Sequence, residues 1–509
     1  MGFLQNWRLR GKKSLATQRQ ADEILQSTIS PSLATNLQTI RMLFSNIPEL
    51  TIRNVSVKKG SPMALLYMDG LVDKNIINTD ILRPLLQQET DEVDVLSSVV
   101  SVGKIEQVQN WSAIEQALLN GKSIVFIDAK TSAYAFHTQG WPQRAIQEPQ
   151  VESSIKSAHQ GFTEVANQNI AMIRRYIPSR ELKAKEVMVG ERGSIQLSLL
   201  YLADVVNQDA LTEVEIRLKQ LSVDTVLNTG ELEGLIEDHT YTPFPQFILT
   251  ERPDTTASHL LQGRVAVIVD RSPGALIGPM TFSSFFQTVD DYNVRWLTSS
   301  FVRILRFVGC FIAIFAPSIY IAMISFHYEV IPLQLILSIA QSREQVPLPP
   351  LIEALIMELI LEMLREAGVR LPSPIGQTIG VVGGIVIGQA AVQAGIVSNI
   401  MVIVVAITAI SSYIIPNLEM SAGIRLIRFP MMLLASAFGM VGIVCGMSLL
   451  VIHILSISSL GVPYGSPISP LRFSDMKDTF IRLPIWMMKK RPLSVRPNQV
   501  DRQGKRRKK

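Results

Sequence analysis

The stretch Pro347–Ser398 decides the fold of this chain, and it reads PLPPLIEALIMELILEMLREAGVRLPSPIGQTIGVVGGIVIGQAAVQAGIVS. It joins a helix-forming segment with four glutamates to an apolar segment in which glycine recurs at every fourth position. Charged side chains are costly in hydrocarbon, and those found there usually serve a water-filled path, a proton relay or an ion pair. We therefore expect the functional residues to lie in this stretch.

Long uncharged segments surround it. Phe307–Tyr328, Leu371–Leu418 and Phe429–Leu471 contain no Asp, Glu, Lys or Arg, whereas about 20 mainly apolar residues are enough to cross a bilayer. The mean hydropathy of +0.26 and the charged fraction of 18% are also unusual for a soluble protein. These observations predict an α-helical polytopic membrane domain that follows a large polar region.

The polar region has the patterns of an α/β fold and an internal similarity. Met63–Met68 and Ser123–Asp128 (SIVFID) are predicted strands. The similar pairs of segments are Leu65–Leu86 with Leu199–Leu221, and Ala117–Ala129 with His259–Arg271. The similarity indicates two related α/β lobes, although strand–helix–turn–strand units also resemble one another by chance.

The N-terminus, MGFLQNWRLRGKK, is basic and lacks the apolar core of a secretory signal, so we expect the polar region to be cytosolic. The predicted fold class is an α/β cytosolic region of two related lobes followed by an α-helical polytopic membrane domain. The predicted domains are an N-terminal helical segment (1–50), a first α/β lobe (51–150), a helical connector (151–180), a second α/β lobe (181–296), a transmembrane domain (297–460) with a re-entrant or amphipathic segment (330–367), and a basic C-terminal tail (461–509).

The C-terminal tail is strongly basic. From Ser458 to Lys509 the chain has 13 Lys and Arg residues against three Asp residues. Such a tail can bind nucleic acid, but next to a membrane span it is more typical of a cytoplasmic end that faces anionic lipid. We therefore expect membrane lipid, and no nucleic acid, among the partners.

Two topologies are open for the membrane domain. If residues 330–367 are re-entrant, four spans place both termini inside but leave Arg425 and Arg428 in an outside loop. If Leu351–Ala367 crosses, those arginines lie inside and the basic tail lies outside; the larger charge of the tail favours the first topology. The four spans are Ser299–Phe326, the glycine-rich segment, Ile400–Ile415 and Pro430–Ile457.

Two segments at the end of the polar region have distinctive compositions. Thr242–Pro253, TPFPQFILTERP, contains three prolines and is predicted to be an extended crossover, or a site where a partner docks. Phe282–Trp296 is aromatic and amphipathic, and we predict a helix at the level of the lipid headgroups.

The glutamates of the helix Leu351–Ala367 are candidates for an ion path. At 100° per residue, Glu358 and Glu362 share one face, and Glu353 points to the opposite, apolar face. The shared face suits either an ion path or a solvated surface, whereas Glu353 indicates a functional or inter-helix role. Glutamines on the next helix either extend the path or tie helices together. The whole candidate ion path is Glu353, Glu358, Glu362, Gln377, Gln389 and Gln393.

Four glycines with a spacing of four residues form a stripe on that next helix: Gly376, Gly380, Gly384 and Gly388. Each helical glycine costs about 1 kcal/mol relative to alanine, so four in register require a compensating contact. A stripe without side chains lets a second backbone approach closely. We predict that the stripe packs against another helix, within the chain or between subunits.

Enzyme motifs are missing from the sequence. GxGxxG, GxxxxGK(S/T), GxSxG and HExxH are all absent. The Gly-Lys-Ser at 121–123 leads into a predicted strand, so it cannot offer phosphate the N-terminus of a helix. The histidines also lack the spacing of metal ligands. We therefore expect no enzyme activity and no catalytic, cofactor or metal site.

Five motifs extend through most of the chain: Ser325–Gln377, Gly388–Ser398, His159–Ile177, Thr242–Asp254 and Leu260–Pro273. They resemble the A-subunits of spore germinant receptors, the GerA family. The resemblance covers about residues 45–475 and leaves the final basic tail outside. Gln393 departs from it, because Glu is expected there in many relatives.

The resemblance implies the A-subunit of a nutrient germinant receptor in the inner membrane of the bacterial spore. The implied partners are a lipoprotein C-subunit together with a transporter-like B-subunit. The resemblance also implies a homo-oligomer that passes monovalent cations, so a nutrient-gated cation channel is the first hypothesis. The alternatives are a secondary transporter and a non-conducting signalling or scaffold subunit. The inverted repeats typical of transporters are not evident in Ser299–Ile457.

Overall fold

The computed structural model describes residues 23–56, 61–87, 100, 104–140, 160–371, 383–384 and 386–502. Two antiparallel sheets and their helices form an α/β region. The helices from Trp296 onward form a bundle beside it, and the C-terminal segment returns to the α/β region. A sheet-rich α/β region followed by helices is the order that the sequence predicts.

The first sheet consists of β1 (Leu50–Val55), β2 (Met63–Met68), β3 (Ile105–Val108), β4 (Ser123–Ile127) and β5 (Ala133–Phe136). Its strand order is β1-β2-β4-β5-β3, and every pair is antiparallel. All five residues of β4 are buried, which confirms the predicted buried strand. The helices of this part are α1 (Leu33–Leu43), the helical stretch α2 (Lys74–Ile76, Ile77–Leu82 and Arg83–Gln87) and α3 (Trp111–Leu119).

The second sheet consists of β6 (Leu182–Val189), β7 (Ile195–Leu202), β8 (Ile248–Thr250), β9 (Val265–Val269) and β10 (Ala275–Gly278). Its order, β6-β7-β9-β10-β8, repeats that of the first sheet strand for strand. The helices of this part are α4 (Ala166–Tyr176), α5 (Gln208–Gln220), α6 (Thr229–Ile236) and α7 (Pro253–Leu260). α4 lies in the predicted connector, and its buried Arg174 forms an ion pair of 2.8 Å with Glu49.

Equivalent glycine turns precede the central strands of the two sheets. Gly121 (φ +76°) and Gly263 (φ +92°) have the left-handed backbone conformation that favours glycine. A Cβ on Gly121 would lie 2.6 Å from the carbonyl oxygen of Leu71, and one on Gly263 would lie 2.9 Å from that of Val205. Each turn therefore packs against the backbone that follows the second strand of its own sheet.

The bundle contains α8 (Trp296–Ser325), α9 (Leu333–Arg343), α10 (Pro350–Arg370), helical residues 386–393, α11 (Asn399–Tyr413) and α12 (Leu418–Ser456). Among the described residues, α8 and α12 are long and apolar enough to cross a membrane by length and composition. α8 is the central element, because α10, α11 and α12 all pack against it.

α12 is a pair of helices that fold back on each other at Gly439. This glycine has φ 60° and ψ −139°, outside the helical region. A Cβ on Gly446 would lie 2.9 Å from Leu434 Cδ1, although a continuous helix would separate these residues by about 18 Å along its axis. The segment is therefore a hairpin with a first arm, 418–438, and a second arm, 440–456.

The hairpin corrects the predicted last span, Pro430–Ile457. Arg425 and Arg428 lie within the first arm, and the prediction of an outside loop that contains them is wrong. The pattern failed here because Gly439 lies in an uninterrupted apolar run, where the distribution of hydrophobic residues carries no signal of a turn.

The two ends of the hairpin contact different parts of the molecule. His327, which follows α8, accepts a hydrogen bond of 3.4 Å from the backbone N–H directly after Gly439. At the opposite end, both arms reach the loop Thr242–Pro245 of the α/β region, which we call the coupling loop. The turn therefore lies at the end of the bundle that faces away from the α/β region.

The coupling loop contacts one residue on each arm. Thr242 Oγ1 and His453 Nε2, on the second arm, share a hydrogen bond of 2.8 Å. Gly423, on the first arm, lies so close to Pro243 that a Cβ at this position would overlap the carbonyl oxygen of the proline. The predicted extended crossover is thus also the contact between the α/β region and the hairpin.

The C-terminal segment packs on the α/β region. Asn207 Nδ2 donates a hydrogen bond of 2.9 Å to the carbonyl oxygen of Val495, and Arg491 Nε donates one of 2.7 Å to that of Leu261. The described part of the tail, up to residue 502, is therefore folded against the domain. It lies at the same end of the bundle as the α/β region.

The aromatic segment before α8 does not form the predicted interfacial helix. It contains two short 3-10 turns, Phe282–Phe286 and Val289–Tyr292. Phe285 and Phe286 are buried, and the ring of Phe286 stacks on that of Phe307 with 4.6 Å between centroids. Its rings pack at the junction between the two parts of the molecule.

Candidate functional site

Three glutamates of α10 each lie beside an arginine from another part of the bundle, and we call these three pairs the ion-pair ladder. Its members are Glu353 with Arg343, Glu358 with Arg428, and Glu362 with Arg425. α10 begins with Pro350 at a position where proline is favoured, because its missing N–H has no helical partner there. The ladder occupies the part of this helix from Glu353 to Glu362.

Glu353 joins three elements at the end of the bundle that faces away from the α/β region. Its carboxylate is fully buried, and Oε1 lies 3.0 Å from Arg343 Nη1 at the end of α9. Oε2 accepts a hydrogen bond of 3.0 Å from the backbone N–H of Ser398. Ser398 is the N-cap of α11, so one carboxylate fixes the ends of two neighbouring helices to α10.

Glu358 and Arg428 form the central pair of the ladder. Both side chains are buried, and Glu358 Oε2 pairs with Arg428 Nη1. Arg428 Nε also donates a hydrogen bond of 2.7 Å to the carbonyl oxygen of Ala313 in α8. This carbonyl precedes Pro317 by four residues, and a proline cannot donate the helical hydrogen bond that would otherwise use it. The arginine therefore satisfies both a buried carboxylate and a backbone acceptor freed by the proline.

Glu362 lies in the third pair and is partly exposed. Its Oε1 is 2.9 Å from Arg425 Nε and 3.6 Å from Arg365 Nη1 on its own helix. Arg365 Nη2 donates a hydrogen bond of 3.2 Å to Ser412 Oγ, and its guanidinium lies 4.6 Å from the ring centroid of Tyr413. A single carboxylate thus holds two arginines that connect α10, α11 and the first arm of the hairpin.

The ladder changes the interpretation of the predicted glutamate faces. Glu353 and Glu358 are both buried, although the helical wheel places them on different faces, because α10 is enclosed on more than one side. The partners Arg343, Arg425 and Arg428 were not predicted. The available signal was the presence of arginines within otherwise apolar segments, which in hydrocarbon require a counter-charge.

The remaining candidate residues lie away from the ladder. Gln389 and Gln393 are exposed on the helical residues 386–393. Among the described residues, a Cβ on Gly384 would have no atom within 4 Å, and one on Gly388 would meet only Val402 Cγ1 at 3.7 Å. No backbone of the described chain approaches these two glycines closely. Gly376, Gln377 and Gly380 lie outside the described residues.

A second buried charge cluster fixes the start of α8. Arg303 is fully buried and pairs with Asp291 (2.9 Å) and with Asp478 of the C-terminal segment (2.7 Å). Arg306 also pairs with Asp291 at 2.9 Å, and the Tyr292 hydroxyl donates a hydrogen bond of 2.6 Å to Asp478. The cluster joins the segment before α8, the first turns of α8 and the tail.

A cavity of about 690 Å³ lies between the second sheet and the beginning of α12. Its lining includes Ser272, His259, Tyr292 and Glu419. Burial, with the nearby positive charge of Arg264, holds the pKa of His259 well below its usual value. The histidine is therefore neutral in the folded protein.

Glu233 of α6 makes the junction between α/β region and hairpin sensitive to pH. Burial, together with the carboxylates of Glu419 and Glu237, raises its pKa to about 8. Burial also raises the pKa of Glu237. A carboxyl group at this position changes its charge near neutral pH rather than near pH 4.

These features define a class of protein: an α/β region packed against a bundle of apolar helices whose internal charges are paired. The chain belongs to the GerA family of Bacillus/Clostridium spore germination proteins, whose family model matches residues 38–494. The match extends further into the tail than the resemblance noted in the sequence.

Several relatives are similar over nearly the whole chain. "Spore germination protein KA" of Bacillus subtilis (strain 168) is 40% identical over 484 residues, which cover 94% of this chain and 89% of the relative. "Spore germination protein GerLA" of Bacillus cereus is 37% identical over 462 residues, with 90% and 94% covered. "Uncharacterized membrane protein YfkQ" of Bacillus subtilis (strain 168) is 38% identical over 484 residues, with 94% of each chain covered.

Among solved structures, the N-terminal domain of the A-subunit of the Bacillus megaterium spore germinant receptor GerK3 is similar to this chain. It is 29% identical, covers 50% of this chain and 98% of its own, and has a TM-score of 0.41. The family match and the spore germination relatives support assignment of this chain to the A-subunits of germinant receptors.

Proposed function

We propose that this chain, the A-subunit of its receptor, assembles with copies of itself in the inner membrane of the spore around a path for monovalent cations, which opens when a nutrient is sensed. The observation that carries the proposal is the exposure of Gln389 and Gln393 on the otherwise apolar helical residues 386–393. Lipid is an unfavourable neighbour for an amide group, whereas a water-filled path between copies is a favourable one. Gly384, which no described residue approaches within 4 Å of a Cβ position, is available for contact with a second copy.

The ion-pair ladder has a different role in this proposal. The charges of Glu353, Glu358 and Glu362 are balanced by arginines within one copy, so these carboxylates are not free to bind a passing cation. They hold α10 against α8, α11 and the hairpin. The walls of the path would then be formed by the helix at 386–393 on the outer surface of each copy.

The proposed topology has six passes. They are α8, α10, the segment that includes 386–393, α11 and the two arms of the hairpin. An even number of passes places both ends of the chain on one side of the membrane. The packing of the tail on the α/β region supports this arrangement, and the proposed side is the cytosol, which is the spore core.

The coupling loop connects the α/β region to the membrane part. It contacts the first arm through Gly423 and the second arm through His453. A rearrangement of the second sheet would therefore act on both arms together. We infer that this loop transmits the gating signal, which arises in a complex with two partners, the B-subunit plus the lipoprotein C-subunit.

We also infer that the two sheets derive from one duplicated unit and form two related lobes. The identical strand order and the equivalent turns at Gly121 and Gly263 support this inference, in addition to the internal similarity of the sequence.

The test is a double variant, Gln389→Leu with Gln393→Leu, in spores that carry it as their only copy of this subunit. The expected result is a strong decrease in nutrient-triggered cation release, with an unchanged mass of the solubilised complex. Val386→Leu, which alters an exposed apolar side chain of the same helix, is the matched control and should release cations normally. Normal release from the double variant would refute the proposed path.

The mass of the purified complex separates the alternatives. A stable monomer with saturable transport would favour a secondary transporter. An oligomer whose cation release is insensitive to every substitution on residues 386–393 would favour a non-conducting scaffold subunit.

A further inference from the structure

The C-terminal segment presents an apolar surface to solvent, which we call the tail face. It consists of Leu471, Phe473, Ile481, Ile485 and Trp486, all of which are exposed. The exposed fraction reaches 74% for Phe473 and 67% for Trp486. Large apolar side chains that are concentrated in this way mark a surface that another molecule or a membrane covers.

Basic and acidic side chains around the tail face differ in their exposure to solvent. Lys477, Lys489 and Lys490 are exposed. Two of the three acidic side chains turn inward: Asp478 pairs with the buried Arg303 at 2.7 Å, and Asp475 accepts a hydrogen bond of 2.6 Å from the backbone N–H of Ser494. The third, Asp501, is exposed opposite Lys490, so the exposed lysines outnumber it. The surface that remains accessible is therefore apolar and positively charged.

The tail face is continuous with the apolar surface of the bundle. The ring of Phe480 packs on that of Phe307 of α8 with 4.7 Å between centroids, and Ser300 Oγ donates a hydrogen bond of 3.0 Å to the carbonyl oxygen of Arg482. On the same first turns of α8, Leu297 and Phe301 are exposed. The tail therefore lies beside the end of α8 nearest the α/β region, where lipid headgroups would surround an inserted helix.

We propose that the tail face binds the surface of a bilayer that contains anionic lipids, with its aromatic and aliphatic side chains at the headgroup level and its lysines against the headgroups. Aromatic residues are favoured at this depth, and exposed lysines are attracted to anionic headgroups. This inference rests on the proposed insertion of the bundle into the membrane. Through Asp478, the surface is connected directly to the charge cluster that fixes the start of α8.

The test uses the full chain in nanodiscs whose lipids carry bromine on the acyl chain close to the headgroup, since bromine quenches nearby tryptophan fluorescence. The contribution of Trp486 is obtained by difference from a Trp486→Phe variant, which changes only an exposed ring. In discs that contain phosphatidylglycerol, the expected result is strong quenching of this contribution. In the Lys489→Gln/Lys490→Gln variant, the quenching should fall towards its value in phosphatidylcholine discs.

Trp296, which is partly exposed on the first turn of α8, is the internal reference and is measured with a Trp296→Phe variant. If Trp296 is quenched and Trp486 is instead accessible to aqueous acrylamide, the tail face does not bind lipid and this inference fails alone. If Trp486 is shielded from both acrylamide and bromine, a protein surface covers it, which also overturns the inference. If neither residue is quenched, the bundle is not inserted and the proposed function fails as well.

Discussion

Glu358 of α10 and Arg428 of the hairpin form an ion pair in which both side chains are buried. Removing one partner leaves the other as an uncompensated buried charge, which typically costs about 3–5 kcal/mol. We therefore expect Glu358→Gln to lower the stability of the full chain in detergent strongly, as measured by thermal unfolding. Replacing both residues together, Glu358→Leu with Arg428→Met, should restore most of the loss.

The control for this pair is Glu366→Gln. Glu366 and Arg370 form an exposed pair on the same helix, and such pairs contribute little to stability. Its melting temperature should equal that of the wild-type chain. Equal stability of Glu358→Gln and Glu366→Gln would show that the buried pair is not structural.

Gly423 and Gly384 provide a matched pair of glycine substitutions. A Cβ on Gly423 would overlap the carbonyl oxygen of Pro243, whereas one on Gly384 would meet no atom of the described chain within 4 Å. We expect Gly423→Ala to destabilise the solubilised protein by about 1–3 kcal/mol, as overpacking usually does. Gly384→Ala should not destabilise it and should raise its stability by up to about 1 kcal/mol, because alanine is favoured over glycine in a helix, and it should instead lower the proportion of oligomer. The opposite order of stabilities would contradict the contact between the coupling loop and the first arm.

Thr242→Val tests the contact of the coupling loop with the second arm of the hairpin. The substitution keeps the shape of the side chain but removes the hydrogen bond to His453 and a local one of 3.3 Å from the backbone N–H of Phe244. A hydrogen bond of this kind contributes about 0.5–1.5 kcal/mol. The expected result is slower nutrient-triggered cation release, with normal assembly. The control is Thr212→Val on α5, which removes a hydrogen bond from the Thr212 hydroxyl to the backbone of its own helix. If both variants release cations at the wild-type rate, the loop does not transmit the signal.

The raised pKa of Glu233 predicts how the stability of the folded protein changes with pH. Its pKa is about 8 in the folded protein against 4.5 for the unperturbed group, so the folded state binds the proton more tightly than the unfolded state. This contribution to stability is complete below pH 4.5 and is lost as the pH rises through 8. Glu233→Gln should therefore melt at the same temperature as the wild type in acid and at a higher temperature at pH 8. Glu186→Gln, at an exposed position of β6, should show no such divergence.

The sequence predicts the elements whose patterns are local. The buried strand β4 and the strand β2 follow from continuous apolar runs between turn residues. The division of the chain into an α/β region and a bundle of apolar helices follows from the distribution of charged residues along the sequence. The partner of Glu358 could not be predicted in this way, because Arg428 is 70 residues away and pairing across that distance depends on packing.

The hairpin could not be predicted either, because its only local sign is one glycine in an apolar run. The helical wheel places Glu353 on an apolar face, and the structure shows that it is buried, whereas its pairing with Arg343 depends on how α9 packs against α10. The sequence pattern of a single helix therefore does not predict which distant arginine pairs with each glutamate.

The turn at Gly439 also has a mechanical consequence. Both arms are attached to the α/β region at their near ends, and the turn rests against His327 at the opposite end. A displacement of the arms at the near end is carried along two antiparallel helices that are packed side by side. We infer that the hairpin transmits such a displacement as a rigid unit, so that a change in the α/β region moves residues at the opposite end of the bundle.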